Sequence, residues 1–270
     1  MTVDTLSLEG KVAIVTGSGR ENGIGAGIAL ALARNGASVV VNHVSDSSAG
    51  RAANVAQMLR QAGGKAIVVQ TSVDTLEGAK YIVQKTLEGF QTDHIDILAN
   101  PTPAPLPKVN NAGVGYVSRI LDEINQAEAD RVYQINVNGP LYMTNAVVPH
   151  MPPGGRIINI SSTNAKLGHE MISTYAASKA ALDNLSVSWA GELGRSKGIT
   201  VNSVAPGPVL TDIIPKEQKD AMMQPQIDMT KAADRAGTPA DIGDAVLLLV
   251  NEKARWITGQ NISVSGGVTH

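Results

Sequence analysis

The chain has 270 residues, of which 43% are hydrophobic and 3% aromatic, and it carries a formal net charge of −2 at pH 7. It is long enough to bury a large core, but the near-neutral charge argues against a nucleic-acid surface, and no apolar stretch reaches the ~20 residues of a membrane span. With no cysteine and five scattered histidines, the sequence predicts neither disulfides nor a metal site.

The first predicted strand covers residues 11–16, and a glycine-rich loop separates it from a predicted helix over 26–35. When a strand is followed by a glycine-rich loop and then by the N-terminus of a helix, backbone N–H groups can point at a phosphate. The strict Gly-x-Gly-x-x-Gly pattern fails, because its third glycine falls on Asn22. The loop is therefore either a phosphate cradle, which we favour, or a plain turn. The candidate contacts are Gly17, Ser18, Arg20, Gly23 and Ile24.

The second predicted strand runs from 37 to Asn42, and His43 and several serines follow it. Folds that bind NAD tend to place an acidic residue near this point, on the ribose 2′-hydroxyl. Because no acid stands at the strand end and Arg20 can reach this corner, we favour NADPH over NADH. Asp46 argues against this choice, since NADH would be preferred if its carboxylate points at the ribose. The candidate contacts here are His43 and Ser45.

Helices and strands then alternate at short intervals with no linker between them. This alternation predicts one doubly wound α/β domain with a parallel sheet, spanning residues 1–270. The predicted helices are 51–61 and 76–87, and the predicted strands are 65–71 and 95–99.

A proline-rich insert, residues 101–109, interrupts the alternation after the fourth predicted strand. Prolines lack the N–H that pairs strands in a sheet, and alternating prolines favour polyproline II. We therefore expect the insert to loop out at the ligand edge of the sheet. It is either a substrate-side flap or a tolerated insertion, such as retained non-coding sequence, and we slightly favour the second interpretation.

Asn125, with Glu128 three residues later, predicts the start of a further helix. This helix carries Asn136 and should bend or break near Pro140, because a proline ring does not fit a helix interior. A buried Asn136 needs hydrogen-bond partners, which are either a water chain or the backbone.

A branched apolar run that ends in serines predicts a buried strand closing near Ser162, and an alanine-rich run from Tyr175 to about Leu193 predicts a helix. Tyr175 and Lys179 are four residues apart on one helix face. Ser162 lies 13 residues before Tyr175, at the strand's carboxyl end, where open α/β sheets bind ligands.

The chemistry of these three residues suits the conversion of a carbonyl to an alcohol, or the reverse, if a hydride donor lies alongside. A lysine ammonium favours the phenolate, so we predict that Lys179 lowers the pKa of Tyr175 from ~10 towards neutrality. Tyr175 would then give or take a proton, and Ser162 would hold the same substrate oxygen.

The spacing by itself is weak evidence, because Tyr81 and Lys85 repeat it without a serine-tipped strand before them. We interpret Tyr81 as an ordinary helix residue. For Tyr175, the local context leaves catalysis and packing as even alternatives.

The last third of the chain holds a predicted strand over 199–205, a turn at 206–208 and a variable stretch over about 208–236. This stretch is either a mobile substrate lid, whose methionines line an apolar pocket, or an amphipathic surface helix. Thr238 and Pro239 predict a helix start, and the last predicted strand covers 261–265. The methionines are Met222, Met223 and Met229.

Taken in order, these motifs resemble the short-chain dehydrogenase/reductase family, from Leu8 to Gly267. The resemblance implies a Rossmann-type fold, with helices on both faces of a seven-stranded parallel sheet, an NADP(H) cofactor, a small-molecule carbonyl or alcohol substrate, and a homotetramer. It implies that Tyr175 is the acid-base, that Ser162 holds the substrate oxygen, and that Lys179 binds the nicotinamide ribose. Asn136 would hold a water that links Lys179 to solvent. The implied cofactor wall comprises Ser72, Val73, Asn111, Ala112, Gly113, Tyr175, Lys179, Pro206, Gly207, Val209 and Thr211.

Three departures from the family pattern stand out. Gly17 and Gly23 are six residues apart where the family has four, so the glycine loop has two additional residues. Ser72 stands where the family usually has an acidic residue against adenine. The proline-rich insert separates Asn111 from the fourth strand, which it normally follows directly.

The stretch after Asn42, together with Arg20, is similar to NADPH-dependent reductases of polyketide ketones and naphthols. We therefore expect a carbonyl reductase for a bulky, mostly apolar or cyclic substrate. The polar N-terminus lacks a signal-peptide pattern, so we expect a cytoplasmic protein. Two alternatives stay open: a non-redox epimerase or cyclase that keeps the cofactor as a structural element, and an NADP(H)-binding protein that catalyses nothing.

Overall fold

The computed structural model describes residues 5–101, 119–212 and 219–269. Seven strands form one sheet in the order β3-β2-β1-β4-β5-β6-β7, and every neighbouring pair is parallel. The predicted Rossmann-type sheet is therefore confirmed. The strands are β1 (Val12–Val15), β2 (Ser38–His43), β3 (Lys65–Gln70), β4 (Ile97–Asn100), β5 (Arg156–Ile160), β6 (Thr200–Pro206) and β7 (Asn261–Val264).

Helices cover both faces of the sheet and divide the core in two. One core packs α1, α2 and α9 against the sheet, and the other packs α3, α5 and α7 against the opposite face. The central strands β1, β4, β5 and β6 are buried throughout, as expected for a parallel sheet covered on both sides. The helices are α1 (Ile24–Ala33), α2 (Ala49–Gln61), α3 (Leu76–Phe90), α4 (Gln126–Tyr133), α5 (Gly139–Val147), α6 (Asn164–Leu167), α7 (Ser173–Lys197), α8 (Lys219–Ile227) and α9 (Pro239–Val250).

The strand order changes direction between β1 and β4, which are neighbours in the sheet but far apart in the chain. In open α/β sheets the ligand crevice lies at such a point, beyond the carboxyl ends of the strands. The glycine loop follows β1, and Ser162 follows β5 two residues after its end. The fold therefore brings both predicted halves of the site to one edge of the sheet.

The predicted helix after Asn125 is interrupted, as its sequence indicates. Asn125 caps α4 by accepting a hydrogen bond from the Glu128 N–H at 3.2 Å. A π-helical turn, Gln134–Asn138, then separates α4 from α5, and Pro140 lies in the first turn of α5. The break thus falls just before the proline, where its missing N–H leaves no gap in the hydrogen bonding.

The stretch proposed as a lid is only partly described. Residues 213–218 and the insert residues 102–109 lie outside the described residues, as does the side chain of Met222. Met223 is buried against Ala236 and Ile227 in a small cluster apart from the two main cores, and Met229 is exposed. The choice between a substrate lid and a surface helix stays a prediction.

Among the helices in the described ranges, none combines the length and the apolar character that crossing a bilayer requires.

Close packing of α1 on α9 generates a stability prediction. A Cβ on Gly27 would lie 2.2 Å from the Pro239 carbonyl oxygen, whereas a Cβ on Gly191 of α7 would meet nothing within 4 Å. We expect Gly27→Ala to lower the free energy of unfolding by about 3 kcal/mol, because backbone must move. The matched Gly191→Ala should be neutral or stabilise by up to ~1 kcal/mol. Urea unfolding curves measure both, and equal midpoints for the two variants would contradict this packing.

Candidate active site

The glycine loop leaves the start of α1 open to a ligand. Gly17 has a φ of 58°, a left-handed conformation that favours glycine. A Cβ on Gly25 would lie 2.7 Å from the Gly17 carbonyl oxygen, so the loop folds tightly onto the helix. No side chain caps α1 at Gly23, and the N–H groups of its first turn, beginning at Ile24, are therefore available to a phosphate. The residues present fit a dinucleotide pyrophosphate.

Asn42 attaches this loop to the sheet, and both ends of its side-chain amide are occupied by hydrogen bonds within the protein. Its side-chain oxygen accepts from the Gly17 N–H at 3.0 Å, and its amide donates to the Thr71 carbonyl at 3.0 Å. The Ser18 hydroxyl is also used internally, because it donates to the Val15 carbonyl at 2.7 Å and accepts from the Asn42 N–H at 3.0 Å. Among the predicted contacts, Ser18 can therefore offer a ligand only its backbone.

The ribose corner holds His43, Ser45, Asp46 and Arg20. His43 is buried, with Nδ1 3.1 Å from the Ser45 carbonyl oxygen. Asp46, the acidic residue that argues against NADPH, accepts a hydrogen bond from the Gln70 side chain at 2.7 Å and is thereby turned towards the end of β3. Arg20 is exposed and forms no ion pair with any residue in the described ranges.

Two residues of the long glycine loop, Glu21 and Asn22, anchor it to distant elements. Glu21 pairs with Arg51 of α2 at 2.6 Å, and the same guanidinium also pairs with Asp212. Asn22 donates to the second oxygen of Asp212 at 3.0 Å. Sequence reasoning missed Arg51 and Asp212, because nothing in the local pattern relates residues so far apart in the chain. The longer loop is therefore tied to the chain that leaves β6.

The predicted cofactor-wall residues that the structure describes lie at the carboxyl edge of the sheet. Ser72 and Val73 are the second and third residues after the end of β3, and the Ser72 hydroxyl donates to Asp74. Pro206 ends β6, and a Cβ on Gly207 would lie 2.7 Å from the Ser265 Cβ, so this turn is tightly packed. Val209 bridges to Gly237, and Thr211 is buried. Asn111, Ala112 and Gly113 lie outside the described residues.

The four predicted catalytic residues come together. Tyr175 and Lys179 lie in the first two turns of α7, and the Ser162 side chain lies close enough to the Tyr175 hydroxyl to act on its pKa. The Lys179 amine donates to the Ile160 carbonyl at 2.8 Å and lies 5.8 Å from the centre of the Tyr175 ring. Asn136, in the π turn, donates to Ser178 at 3.0 Å, and its buried carbonyl oxygen Oδ1 has no hydrogen-bond partner among the described residues. Such an orphaned acceptor is suited to an ordered water.

The predicted pKa shift of Tyr175 is wrong in direction for this structure. Burial raises the pKa of Tyr175, and the nearby Ser162 side chain only partly opposes it. Burial also lowers the pKa of Lys179 to about 8, against an upward pull from Asp183. Desolvation disfavours the charged form of both groups, and the sequence rule considered only the attraction between them.

The comparison pair behaves as expected for a surface helix. Lys85 lies 5.7 Å from the centre of the Tyr81 ring, but Tyr81 is exposed on α3, and the half-buried Lys85 pairs with Glu88. The same spacing therefore produces a buried site in one helix and a solvated pair in another. The difference comes from the strand end that faces α7.

Fold and site together define an oxidoreductase of the Rossmann type, and comparison with known proteins specifies the family. Residues 17–269 match a family model described as Enoyl-(Acyl carrier protein) reductase. The chain is 39% identical to the short-chain dehydrogenase/reductase FrzI of Cladobotryum sp, covering 97% of each chain. This chain belongs to the short-chain dehydrogenase/reductase family.

Two further similarities bear on cofactor and substrate. The chain is 35% identical to the hydroxynaphthalene reductase-like protein Arp2 of Metarhizium guizhouense, covering 97% of this chain and 96% of that protein. It superposes with a TM-score of 0.83, at 33% identity, on a short-chain dehydrogenase from Burkholderia cenocepacia solved in complex with NADP, covering 97% of this chain and 98% of that one. The predicted likeness to naphthol reductases is therefore confirmed.

The burial of the Lys179 amine predicts how the free energy of unfolding depends on pH. The folded Lys179 loses its proton near pH 8, whereas the unfolded amine keeps it to about 10.5, so the unfolded state binds more protons between these values. Relative to a Lys179→Met variant, the free energy of unfolding should therefore rise from pH 8 to 10, by about 3 kcal/mol at most.

Chemical denaturation at several pH values measures this difference, with Lys80→Met on the exposed surface of α3 as the control. The control should follow the wild type at every pH. A wild-type curve that stays parallel to that of Lys179→Met between pH 8 and 10 would mean that the folded amine keeps its proton as long as the unfolded one does, so that burial does not lower its pKa.

Proposed function

We propose that this protein is an NADPH-dependent carbonyl reductase in which Tyr175 is the proton donor. The observation that carries the proposal is the convergence of three buried groups at the sheet edge that also bears the open start of α1. The Ser162 side chain acts on the Tyr175 hydroxyl, and the Lys179 amine lies 5.8 Å from the centre of the Tyr175 ring. Two hydroxyls that converge in this way can hold one carbonyl oxygen. When bound, the cofactor supplies the hydride that such a carbonyl carbon accepts.

The residues of the chain would handle the proton. Because burial raises the pKa of Tyr175, the phenol keeps its proton at neutral pH and can give it to the substrate oxygen as the carbon receives hydride. Ser162 would hold that oxygen, and the Lys179 ammonium would stabilise the tyrosinate left behind. A water on the unpartnered oxygen of Asn136 would then connect Lys179 to solvent.

The preference for NADPH rests on the ribose corner. Arg20 is exposed without an ion pair in the described part of the chain, whereas the Asp46 carboxylate already accepts from Gln70 and Arg51 is held between two carboxylates. A 2′-phosphate would thus meet one uncommitted guanidinium. The solved relative in complex with NADP supports the same choice.

For the substrate we propose a bulky, mostly apolar or cyclic ketone, supported by the similarity to a hydroxynaphthalene reductase-like protein. We also propose that the chain is a single domain, because β7 near its end pairs with β6 in the sheet that β1 begins. The homotetramer stays a prediction, which light scattering during size-exclusion chromatography can test.

Replacing Tyr175 by Phe removes the donor hydroxyl and leaves the ring in place. We expect ketone-dependent NADPH oxidation to fall by at least ~10³-fold, while NADPH affinity, measured by nicotinamide fluorescence, changes little. Tyr81→Phe is the matched control, because it has the same spacing to a lysine on an exposed helix. Near-normal turnover by Tyr175→Phe would reject the mechanism, and product formation without stoichiometric NADPH consumption would favour the epimerase or cyclase.

Arg20→Ala tests the cofactor preference. We expect the KM for NADPH to rise about tenfold, the loss of roughly 1.4 kcal/mol for one charged contact, with the KM for NADH unchanged. Arg34→Ala, which breaks an exposed ion pair with Asp244 at the far end of α1, is the control. An equal change for both cofactors would show that Arg20 does not contact the 2′-phosphate.

A further inference from the structure

Arg51, in the first turn of α2, is the centre of a cluster of charged and amide side chains. Its Nε lies 2.6 Å from Oε2 of Glu21 in the glycine loop, and its Nη2 pairs with Oδ2 of Asp212. Asn54 of α2 donates to Oε1 of Glu21 at 3.2 Å, and Asn22 donates to Oδ1 of Asp212 at 3.0 Å. Each of the four carboxylate oxygens therefore has a donor. We call these five side chains the Arg51 clasp.

The Arg51 clasp joins the two sides of the ligand crevice. The glycine loop follows β1 and Asp212 follows β6, and the sheet order places β4 and β5 between these two strands. Because neighbouring strands lie ~4.8 Å apart, the carboxyl ends of β1 and β6 are about 14 Å apart. A direct link between the chains that leave them therefore spans the carboxyl ends of β4 and β5, beside the point where the strand order changes. The predicted cofactor contacts Gly23 and Thr211 lie next to its two ends in the chain.

The Arg51 clasp differs in construction from a single ion pair on the surface. Such a pair contributes little, because water competes for both charges and two long side chains lose freedom. Here one guanidinium binds two carboxylates from different loops, and the three charged side chains are only 26% to 40% exposed. Arg34 and Asp244 form the contrasting case, a more exposed pair that links α1 to α9, two helices that already pack closely on each other.

We propose that Arg51 is a positioning residue for the NADP(H) cofactor: the Arg51 clasp closes the crevice across the pyrophosphate and slows the release of the dinucleotide. The proposal rests on the proposed function only for its effect on turnover, because retention of the cofactor requires no ketone. The contacts of the clasp have to break before the dinucleotide leaves, so they add to the barrier for dissociation. The same guanidinium neutralises two carboxylates that would otherwise repel the anionic pyrophosphate.

The dissociation rate of NADPH tests the clasp without any substrate. Stopped-flow fluorescence follows the release of bound NADPH after mixing with an excess of NADP+. Arg51→Leu should release NADPH about tenfold faster than the wild type, because two charge-assisted contacts across the crevice are lost. The matched control Arg34→Leu, which breaks the exposed pair with Asp244, should release it at the wild-type rate. An unchanged rate in Arg51→Leu would overturn the proposal.

A comparison of two cofactors separates the clasp from recognition of the 2′-phosphate. The pyrophosphate is common to NADPH and NADH, so Arg51→Leu should accelerate the release of both by the same factor, within about twofold. Arg20→Ala should accelerate the release of NADPH alone. A change confined to NADPH in Arg51→Leu would mean that Arg51 contacts the 2′-phosphate, and it would overturn the proposal.

A neutral variant separates closure of the crevice from the effect of charge. In Arg51→Leu/Glu21→Gln/Asp212→Asn no carboxylate of the clasp repels a pyrophosphate, but no ion pair joins the glycine loop to the chain after β6. Release of NADPH should therefore stay at least ~5-fold faster than in the wild type. A return to the wild-type rate would show that Arg51 acts only by neutralising charge, and it would overturn the clasp.

Asp212→Asn keeps the experiment decisive if Arg51→Leu fails to fold. This substitution removes the ion pair at one end of the clasp and leaves Arg51 paired with Glu21. It should accelerate the release of NADPH at least ~3-fold. The wild-type rate in a folded Asp212→Asn variant would overturn the proposal.

Turnover separates this proposal from the proposed function. Arg51→Leu should raise the KM for NADPH about tenfold without lowering kcat, because the four catalytic candidates are unchanged. Faster release of NADPH by Arg51→Leu, in a protein that reduces no ketone, would reject the proposed function and keep the clasp. Unchanged release in an active ketone reductase would overturn the clasp and keep the proposed function.

Discussion

A lysine amine buried under a tyrosine ring is the constraint on which this site depends. The amine of Lys179 has lost almost all its water, and the Ile160 carbonyl at the end of β5 is one of the groups that replaces it. That bond fixes the distance between α7 and the sheet, and the same strand end places Ser162 beside the Tyr175 hydroxyl. Geometry and electrostatics are thus set together, since desolvation acts on both titratable side chains.

The glycine loop, on the opposite side of the crevice, is held in place by a different set of interactions. The glycines that let the loop backbone approach a phosphate have no side chains with which to hold the loop in place. Asn42 holds it instead, by bonding to the loop backbone on one side and to the chain after β3 on the other. Arg51 adds a second attachment, because it pairs with Glu21 of the loop and with Asp212, to which Asn22 of the loop also bonds. A preorganised loop loses less entropy when a cofactor binds.

The sheet differs in character on its two faces near the active site. Ile158, Ile160 and Val204 pack into the apolar core formed with α1 and α9. On the α7 face, Asn159 and Ser203 from the same two strands both donate hydrogen bonds to Ser186. Alternation along a strand makes this possible, because successive side chains point to opposite faces. One short strand can therefore contribute to an apolar core on one face and to a buried polar layer on the other.

The sequence by itself determined the order of the elements, the glycine loop and the meeting of Ser162, Tyr175 and Lys179, because period, glycine spacing and helix spacing are local properties. It placed the helix break near Pro140, since proline imposes its own geometry. Only the tertiary structure decided the direction in which the Tyr175 pKa shifts, the internal role of Asn42 and the turning of Asp46 towards Gln70. These depend on burial and on partners from distant parts of the chain, and neither can be obtained from spacing along it.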